Sequence, residues 1–485
     1  MRLVIPLSRS NEPLFRQVYE GLRSAIVTGT VRAGEKLPAT RALAEDLGVS
    51  RTTVVLAYEQ LLAEGFISGR GGSGTYVSGA FPSRPAALQQ VTASTKLSRF
   101  GASVTLYPSP SLPEKRPSLR YDFSFGKSDL DLFPFAAWRR LLLRCIRKFS
   151  LHAYDYRMPS GSLALRESIA THLARARAVR CDASQVIIVN GSQQALDLAC
   201  RVLLDRGDRA VIEDPQYLGM REVFRAAGVH LHPVPVDEDG LDTSKLPKAA
   251  RLAVVTPSHQ FPTGTILSMS RRLELLNWAR RCNAMVLEDD YDGEFRYGGQ
   301  PLESLQGLDR EGRVIYTGTF SRTMFSSMRI GYIVVPKSLL KPFTAAKWLA
   351  DKHTATLEQE ALSEFINQGT YERYLRRVRR KNAQRRAALL RAIADYLPSE
   401  VRVSGDGAGT HILLWLPAPY MEQETVSRAA QLGVGVYGIS PYFIESGRSR
   451  PGLLIGYARM TERQIREGIQ LLATALAAAA RARKK

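Results

Sequence analysis

The chain has 485 residues, 45% of them hydrophobic, enough to bury the cores of two or three domains. Its 67 lysines and arginines outnumber 46 aspartates and glutamates, and the formal net charge of +21 favours a polyanionic partner, either nucleic acid or an anionic surface. Four scattered cysteines (Cys145, Cys181, Cys200, Cys282), a longest apolar stretch at residues 471–480 about half the length of a membrane span, and no cleavable apolar leader in residues 1–7 argue against a disulfide scaffold, a metal module and a membrane anchor; a cytoplasmic protein is expected.

From Pro13 the residues Leu14, Val18, Leu22, Ala25 and Ile26 recur at helical spacing, and the pattern stops at Gly29, predicting a first amphipathic helix. A second, short helix is expected from about residue 40 to residue 47, ended by Gly48 in a left-handed conformation. Ser50 is placed to cap a third helix that runs through Glu64 and turns Val54, Tyr58, Leu61 and Leu62 inward. A short helix, a glycine turn and a helix opening Ser50-Arg51-Thr52-Thr53 is the helix-turn-helix order, in which the second helix of the pair enters the major groove amino end first. Arg51, Thr52 and Thr53 then lie where they touch DNA, with Ser50 beside them and Arg41 as the next contact. Residues 66–77 alternate and turn on glycines, Gly74 included, as a β-hairpin wing would. A plain three-helix bundle would share the helices but not the wing. The run 37–54, Leu-Pro-x4-Leu-Ala-x3-Gly-Val-Ser-Arg-x-Thr-Val, resembles the GntR-type winged helix, which implies that residues 1–78 bind double-stranded operator DNA.

Residues 79–120 hold Pro82, Pro85, Pro108, Pro110, Pro113 and Pro117, several serines and a single acidic residue, Glu114. Such a composition buries no core and reads as a basic linker whose cations either keep it soluble or touch phosphates. From residue 186 short apolar runs at 186–189, 210–212, 252–255, 285–287, 314–316 and 329–335 alternate with helical patterns such as 196–204 and 273–279. The expected fold is α/β: after the winged helix, a mostly parallel sheet sandwiched by helices, plus a smaller carboxy-terminal α/β subdomain from about residue 370. Ligands of such sheets sit at the carboxyl ends of the strands. There Asp289, followed by Tyr291, can pair with a pyridinium nitrogen and its neighbouring ring hydroxyl, and the helix opened by Gly191-Ser192-Gln193-Gln194 can receive a phosphate. The basic run 376–381, continued by Arg385 and Arg386, is either a solvated helix face or a border to DNA.

Ordered stretches at 132–138, 156–161, 213–217, 257–264, 288–297 and 318–331 make residues 122–480 resemble a fold type I aminotransferase, an enzyme dependent on pyridoxal phosphate (PLP). Joined to the winged helix, the whole is similar to the MocR/GabR family of regulators. The resemblance implies that Asp289 meets the pyridine nitrogen, Tyr291 the ring hydroxyl and Tyr217 the ring face, and that Ser192, Gln193, Thr319 and Arg329 surround the phosphate. It also implies a domain-swapped, head-to-tail homodimer in which Tyr156 reaches the partner's phosphate and each DNA-binding module lies against the other subunit's large domain.

Three positions depart from the enzymes. Arg322 stands where the lysine that carries the cofactor belongs, Leu454 where an arginine takes the substrate carboxylate, and Phe261 where the Asn of an Asn-Pro-x-Gly turn belongs. A guanidinium stays protonated and cannot attack an aldehyde, so no catalytic residue is expected, and PLP, if bound, is expected to be held non-covalently. Arg322 is read as a neutral loss, as a cation that holds an anionic ligand, or as an introduced lysine-to-arginine change. The expectation is a transcription regulator whose residues 121–485 dimerise and sense a small effector, PLP or a related anionic or amino compound. The alternative is a PLP-dependent aminotransferase with a fused DNA-binding module.

Overall fold

The computed structural model describes residues 5–8, 12–79, 95–105, 119–148, 155–297, 303–445, 447 and 449–482. The six prolines named in the linker, with Glu114, lie outside the described residues. Two compact units, residues 1–96 and 97–485, divide the chain.

In the first unit, α1 (Leu14–Val27), α2 (Thr40–Leu47) and α3 (Arg51–Ala63) precede a hairpin of β1 (Ile67–Arg70) and β2 (Gly74–Val77). Val18, Tyr19, Leu22 and Ile26 of α1 close on Val54, Ala57, Tyr58 and Leu61 of α3, with Leu43 and Ala44 of α2 between them. Leu14 and Leu62, expected inside from their spacing, are 46% and 52% exposed: Leu14 is the first residue of α1 and Leu62 the last but one of α3. Gly48 ends α2 at φ 63° as the sequence implied, and the Ser50 hydroxyl accepts from the Thr53 amide at 3.2 Å. Residues 34–37 add an edge that the pattern did not reveal: the Leu37 amide donates to Thr75 and the Val77 amide to Glu35.

In the second unit, eight strands form the main sheet in the order Val186–Val189, Gly331–Val334, Val314–Thr319, Met285–Asp289, Leu252–Val255, Arg209–Asp214, His230–Asp237, Gly240–Leu241. Five neighbours, from Val314–Thr319 to His230–Asp237, run parallel; Gly331–Val334 is antiparallel to both its partners. Alternation along Val186–Val189 explains the two helical layers: Val186 and Ile188 enter the core with Trp138, Leu165 and Phe365, while Ile187 and Val189 enter that of Leu196, Phe224 and Phe343. The smaller subdomain is an antiparallel sheet, Arg402–Ser404, His411–Trp415, Gly452–Gly456 and Tyr437–Gly438, packed on the helices Thr370–Tyr396 and Glu462–Ala482.

Two segments outside the sequence pattern join these layers. Tyr121–Asp122 pairs in parallel with Val434–Gly435 and sends Tyr121 and Phe123 into the small core, so the start of this unit belongs to its far end. Within 79–120, Arg99–Val104 forms a helix capped by Ser98, and Ser103 donates to the carbonyl of Ala226 at 3.4 Å. Among the described residues no helix is long and apolar enough to cross a membrane.

Leu61 is fully buried at the centre of the first unit. Leu61→Ala is expected to cost about 2–5 kcal/mol through lost burial and the cavity left behind. Calorimetry of the full chain should show the winged-helix transition falling in temperature while that of residues 97–485 stays in place; a common shift of all transitions would contradict separate cores.

Candidate DNA surface and strand-end cleft

On the first unit, Arg41, Ser50, Arg51, Thr52 and Gly74 are exposed and Thr53 is half-buried. The Thr53 and Ser50 hydroxyls lie 2.8 Å apart within the cap, so Arg51 and Thr52 are the side chains left pointing outward from the amino end of α3. Arg41 faces Glu45 at 3.6 Å, both largely exposed, a pair that solvent weakens. Lys36 was missed by sequence reasoning: its stem lies against Gly74, where φ is 120°, and its ammonium sits 5.9 Å from the Tyr76 ring. Only the hairpin pairing of residues 34–37 brings it to the wing.

In the second unit, adjacent strand ends place Glu213, Glu288, Asp289, Asp290 and Asp292 in the interior. Burial, reinforced by the charge of Asp290, pushes the Asp289 carboxyl up to about 7, against the opposing pull of Arg322. Its Oδ1 makes no hydrogen bond with a described residue. Burial likewise raises Glu213 and Glu288 to about 7 and Asp292 to about 6. The neighbours of Asp289 each have at least one local partner, although Oδ1 of Asp290 and of Asp292 is also without one among the described residues. Asp290 accepts from Arg177 Nε at 2.6 Å and from the Tyr316 hydroxyl at 2.5 Å. Glu288 accepts from the Leu305 and Gln306 amides at 3.0 Å each, and Glu213 from the Thr256 hydroxyl at 2.6 Å.

Arg322 follows the strand Val314–Thr319 and lies with Cζ 5.8 Å from the Tyr291 ring centre. A Cβ on Gly126 would collide with Nη1 of Arg322, so the guanidinium rests on bare backbone there. The Arg322 carbonyl accepts from the Ser128 hydroxyl at 2.8 Å. Its charge acts on Asp289, Asp292, Tyr217 and Tyr291, yet it forms no ion pair with a described residue. Lys347 is no substitute amine: it is fully buried, with Nζ 2.6 Å from both Asp351 oxygens. Lys127 faces Asp122 at 3.7 Å instead.

Rings line the cleft. Phe261 meets Tyr291 at 5.9 Å and 87°, Tyr217 at 6.2 Å and 83°, and Tyr442 at 5.3 Å and 82°. Behind Tyr291, His259 Nδ1 lies 3.0 Å from the phenol oxygen, while burial holds the imidazole down at about 4 and therefore neutral. His259, Asp292 and His411 gather potential ligand atoms within 4.8 Å; His259 Nδ1 meets the Tyr291 phenol, Asp292 accepts from Thr410, and His411 Nε2 meets the Pro262 carbonyl, while His259 Nε2 and Asp292 Oδ1 have no partner among the described residues. Phe125, Gly126, His411 and Tyr442 carried no sequence signal of their own; His259 and Asp292 lay in the matched stretches 257–264 and 288–297. Leu454 is fully buried beside Leu413 and Ile439.

At the other end, Gly191 at φ 81° opens the helix Ser192–Leu203. A Cβ there would lie 2.8 Å from Arg329 Nη2, so glycine lets that guanidinium close on the helix start, where it donates to the Asn190 carbonyl at 2.6 Å. Gln193 donates to the Gly219 carbonyl at 3.0 Å and leaves its buried Oε1 without a partner. The Thr319 hydroxyl accepts from the Ser321 amide at 3.1 Å. Tyr156 stands apart, 76% exposed, with Lys352 Nζ 5.2 Å from its ring centre.

The donor set fits PLP without its covalent link. The unpartnered buried Asp289 oxygen suits a protonated ring nitrogen, and the glycine-opened helix with Arg329 suits a phosphate, whereas Arg322 offers no neutral amine.

Residues 123–472 match the family model for aminotransferase class I and II, and residues 14–77 that for the bacterial regulatory proteins of the gntR family. The chain is 39% identical over 472 residues to the probable rhizopine catabolism regulatory protein MocR of Rhizobium meliloti, covering 96% of this chain and 94% of that protein. It is 30% identical to the HTH-type pyridoxine biosynthesis transcriptional regulator PdxR of Corynebacterium glutamicum, covering 93% of each. The crystal structure of LysN, an α-aminoadipate aminotransferase of Thermus thermophilus, is 29% identical and superposes with a TM-score of 0.71 over 78% of this chain and 97% of that one. The chain belongs to the MocR-type HTH transcriptional regulators, DNA-binding proteins in which a gntR-family winged helix is joined to an aminotransferase-like domain.

Proposed function

We propose that this regulator uses its aminotransferase-like cleft to capture PLP, or a related anionic amino compound, reversibly, and that it works as a cytoplasmic homodimer on operator DNA. The observation that carries this reading is Asp289, whose buried Oδ1 has no described partner although the charge of Arg322 acts on it and Tyr217 and Tyr291 lie within its field. Asp289 would hold the ring nitrogen, Tyr291 the ring hydroxyl and Tyr217 the ring face. Ser192, Gln193, Thr319 and Arg329 would hold the phosphate. Bound there, PLP would supply an aldehyde on an electron-withdrawing ring, and Arg322 gives that end a permanent cation in place of a nucleophile. The exposure of Tyr156 (76%), Met158 (67%) and Leu349 (77%) supports a homodimer, and the family resemblance supports its head-to-tail, domain-swapped arrangement.

Arg51→Ala is expected to weaken operator binding by about 1–3 kcal/mol if the side chain reads a base, and by less if it meets phosphate. Fluorescence anisotropy at fixed salt measures this, and unchanged affinity would remove Arg51 from the interface. Affinity for DNA should also fall steeply as salt rises.

Because the Asp289 carboxyl is pushed up to about 7, its ionised, pairing form is full above that pH and is lost as pH falls through it. PLP affinity measured by calorimetry is therefore expected to decline from about pH 8 to about pH 6. Asp289→Asn should bind weakly throughout and lose that part of the pH dependence. Equal binding by parent and variant would instead favour a domain that only dimerises.

With PLP and borohydride, the protein is expected to yield no PLP-modified lysine by mass spectrometry. Arg322→Lys should yield a yellow, reducible adduct at that residue, because Asp289, Tyr291 and Arg329 still surround it. A modified peptide from the parent protein would mean that another lysine has taken over.

A further inference from the structure

A second cavity, of about 820 Å³, opens between the end of the helix Leu163–Arg177, the loop at residues 293–296 and the start of the helix Thr370–Tyr396. Its wall carries Arg175, Arg177, Arg296, Arg373, Arg376 and Arg379 against two acidic residues, Glu294 and Glu372. Arg373, Arg376 and Arg379 are spaced three apart, which puts them along one helix face. The run at 376–381 is therefore not uniformly a solvated surface, since part of it lines a concavity.

The cations are unequally used. Arg177 is taken by Asp290 at 2.6 Å. Arg379 donates to the Glu294 carbonyl at 2.6 Å and lies 3.6 Å from Glu372, and Arg373 donates to the Thr370 hydroxyl at 2.9 Å. Arg175 and Arg376, both exposed, make no hydrogen bond or ion pair with a described residue. Burial, with the charge of Asp290, pushes the Glu294 carboxyl up to about 8, so it neutralises little at ordinary pH.

We propose that this cavity is an anion site separate from the strand-end cleft, and that it takes a small molecule bearing a pyrophosphate or several phosphates. Guanidinium forks match phosphate oxygens in pairs, and several of them converging on a concave space favour a multiply charged ligand over a single chloride or carboxylate. The volume exceeds what one phosphate fills and lies within the ordinary range of small-molecule pockets, about 300–1,000 Å³.

The test is calorimetric titration of inorganic pyrophosphate into the full-length protein at constant ionic strength. The parent should bind, and Arg175→Gln/Arg376→Gln should lose at least about tenfold in affinity, the scale of one charge-assisted hydrogen bond. Arg373→Gln weakens the same site independently should the double variant fail to fold. Arg329→Gln, which disables the proposed phosphate end of the cleft, should leave this binding intact. Loss in Arg329→Gln alone would place the anion in the cleft and overturn the proposal, as would undiminished binding by the cavity variants. Displacement of pyrophosphate by duplex DNA of unrelated sequence, absent in the cavity variants, would also overturn it, because the cations would then belong to a DNA track. PLP capture by the cleft is read separately through Asp289→Asn, so either reading can fail alone.

Discussion

Burying several carboxyl groups at the ends of neighbouring strands is the constraint around which the second unit is built. Each such group costs free energy unless hydrogen bonds or a counter-charge replace water. Asp290 has Arg177 and Tyr316, Glu288 has two backbone amides, Glu213 has Thr256, and Asp292 has Thr410. Asp289 has no comparable local partner: burial and then the charge of Asp290 push its carboxyl up, and the field of Arg322 pulls it down. Removing Arg177 would take the counter-charge from Asp290 and leave it the Tyr316 hydroxyl, a loss of about 3–5 kcal/mol by precedent of broken buried pairs.

This electrostatic setting gives Arg322 work that needs no amine chemistry. A positive charge near Asp289 and Tyr291 keeps the ionised carboxylate accessible, and a guanidinium keeps that charge at any ordinary pH. Its place is shaped by Gly126, where any side chain would collide with it, and by the Ser128 hydroxyl on its carbonyl. On the proposed reading, the position that carries a nucleophile in an aminotransferase is here a fixed cation, which suits reversible capture better than turnover.

Much of this was legible because its causes are local. Gly48 and Ser50 announce a helix end and a helix start by backbone conformation and capping, and the apolar runs of a parallel sheet announce where its strands end, the place at which a ligand is proposed. The parallel strands Leu252–Val255 and Met285–Asp289 are buried on both faces and read as continuous apolar runs. His230–Asp237 did not, since its histidines and prolines interrupt the run near the sheet's edge, where it pairs with the two-residue strand Gly240–Leu241. Arg329 was read as the start of a strand but adopts φ 52°, with Gly331–Val334 beginning beyond it. Lys36, Tyr121 and the rings of Phe125, His411 and Tyr442 reach their places through contacts distant in sequence, which no periodicity encodes.

The cleft is bounded by both parts of the second unit, and that bears on how a ligand could change the protein. Asp289, Tyr291 and the start of Ser192–Leu203 belong to the large sheet and its helices. His411 belongs to the small sheet, and its Nε2 lies 3.3 Å from the Pro262 carbonyl, while Gly405 and Gly409 pack against Gly264 and His259. A ligand alters an equilibrium between two conformations only through contacts that differ between them. One that fills a space walled by two packed bodies meets that condition whenever their separation changes, whereas one held by a single strand end would bind both states alike.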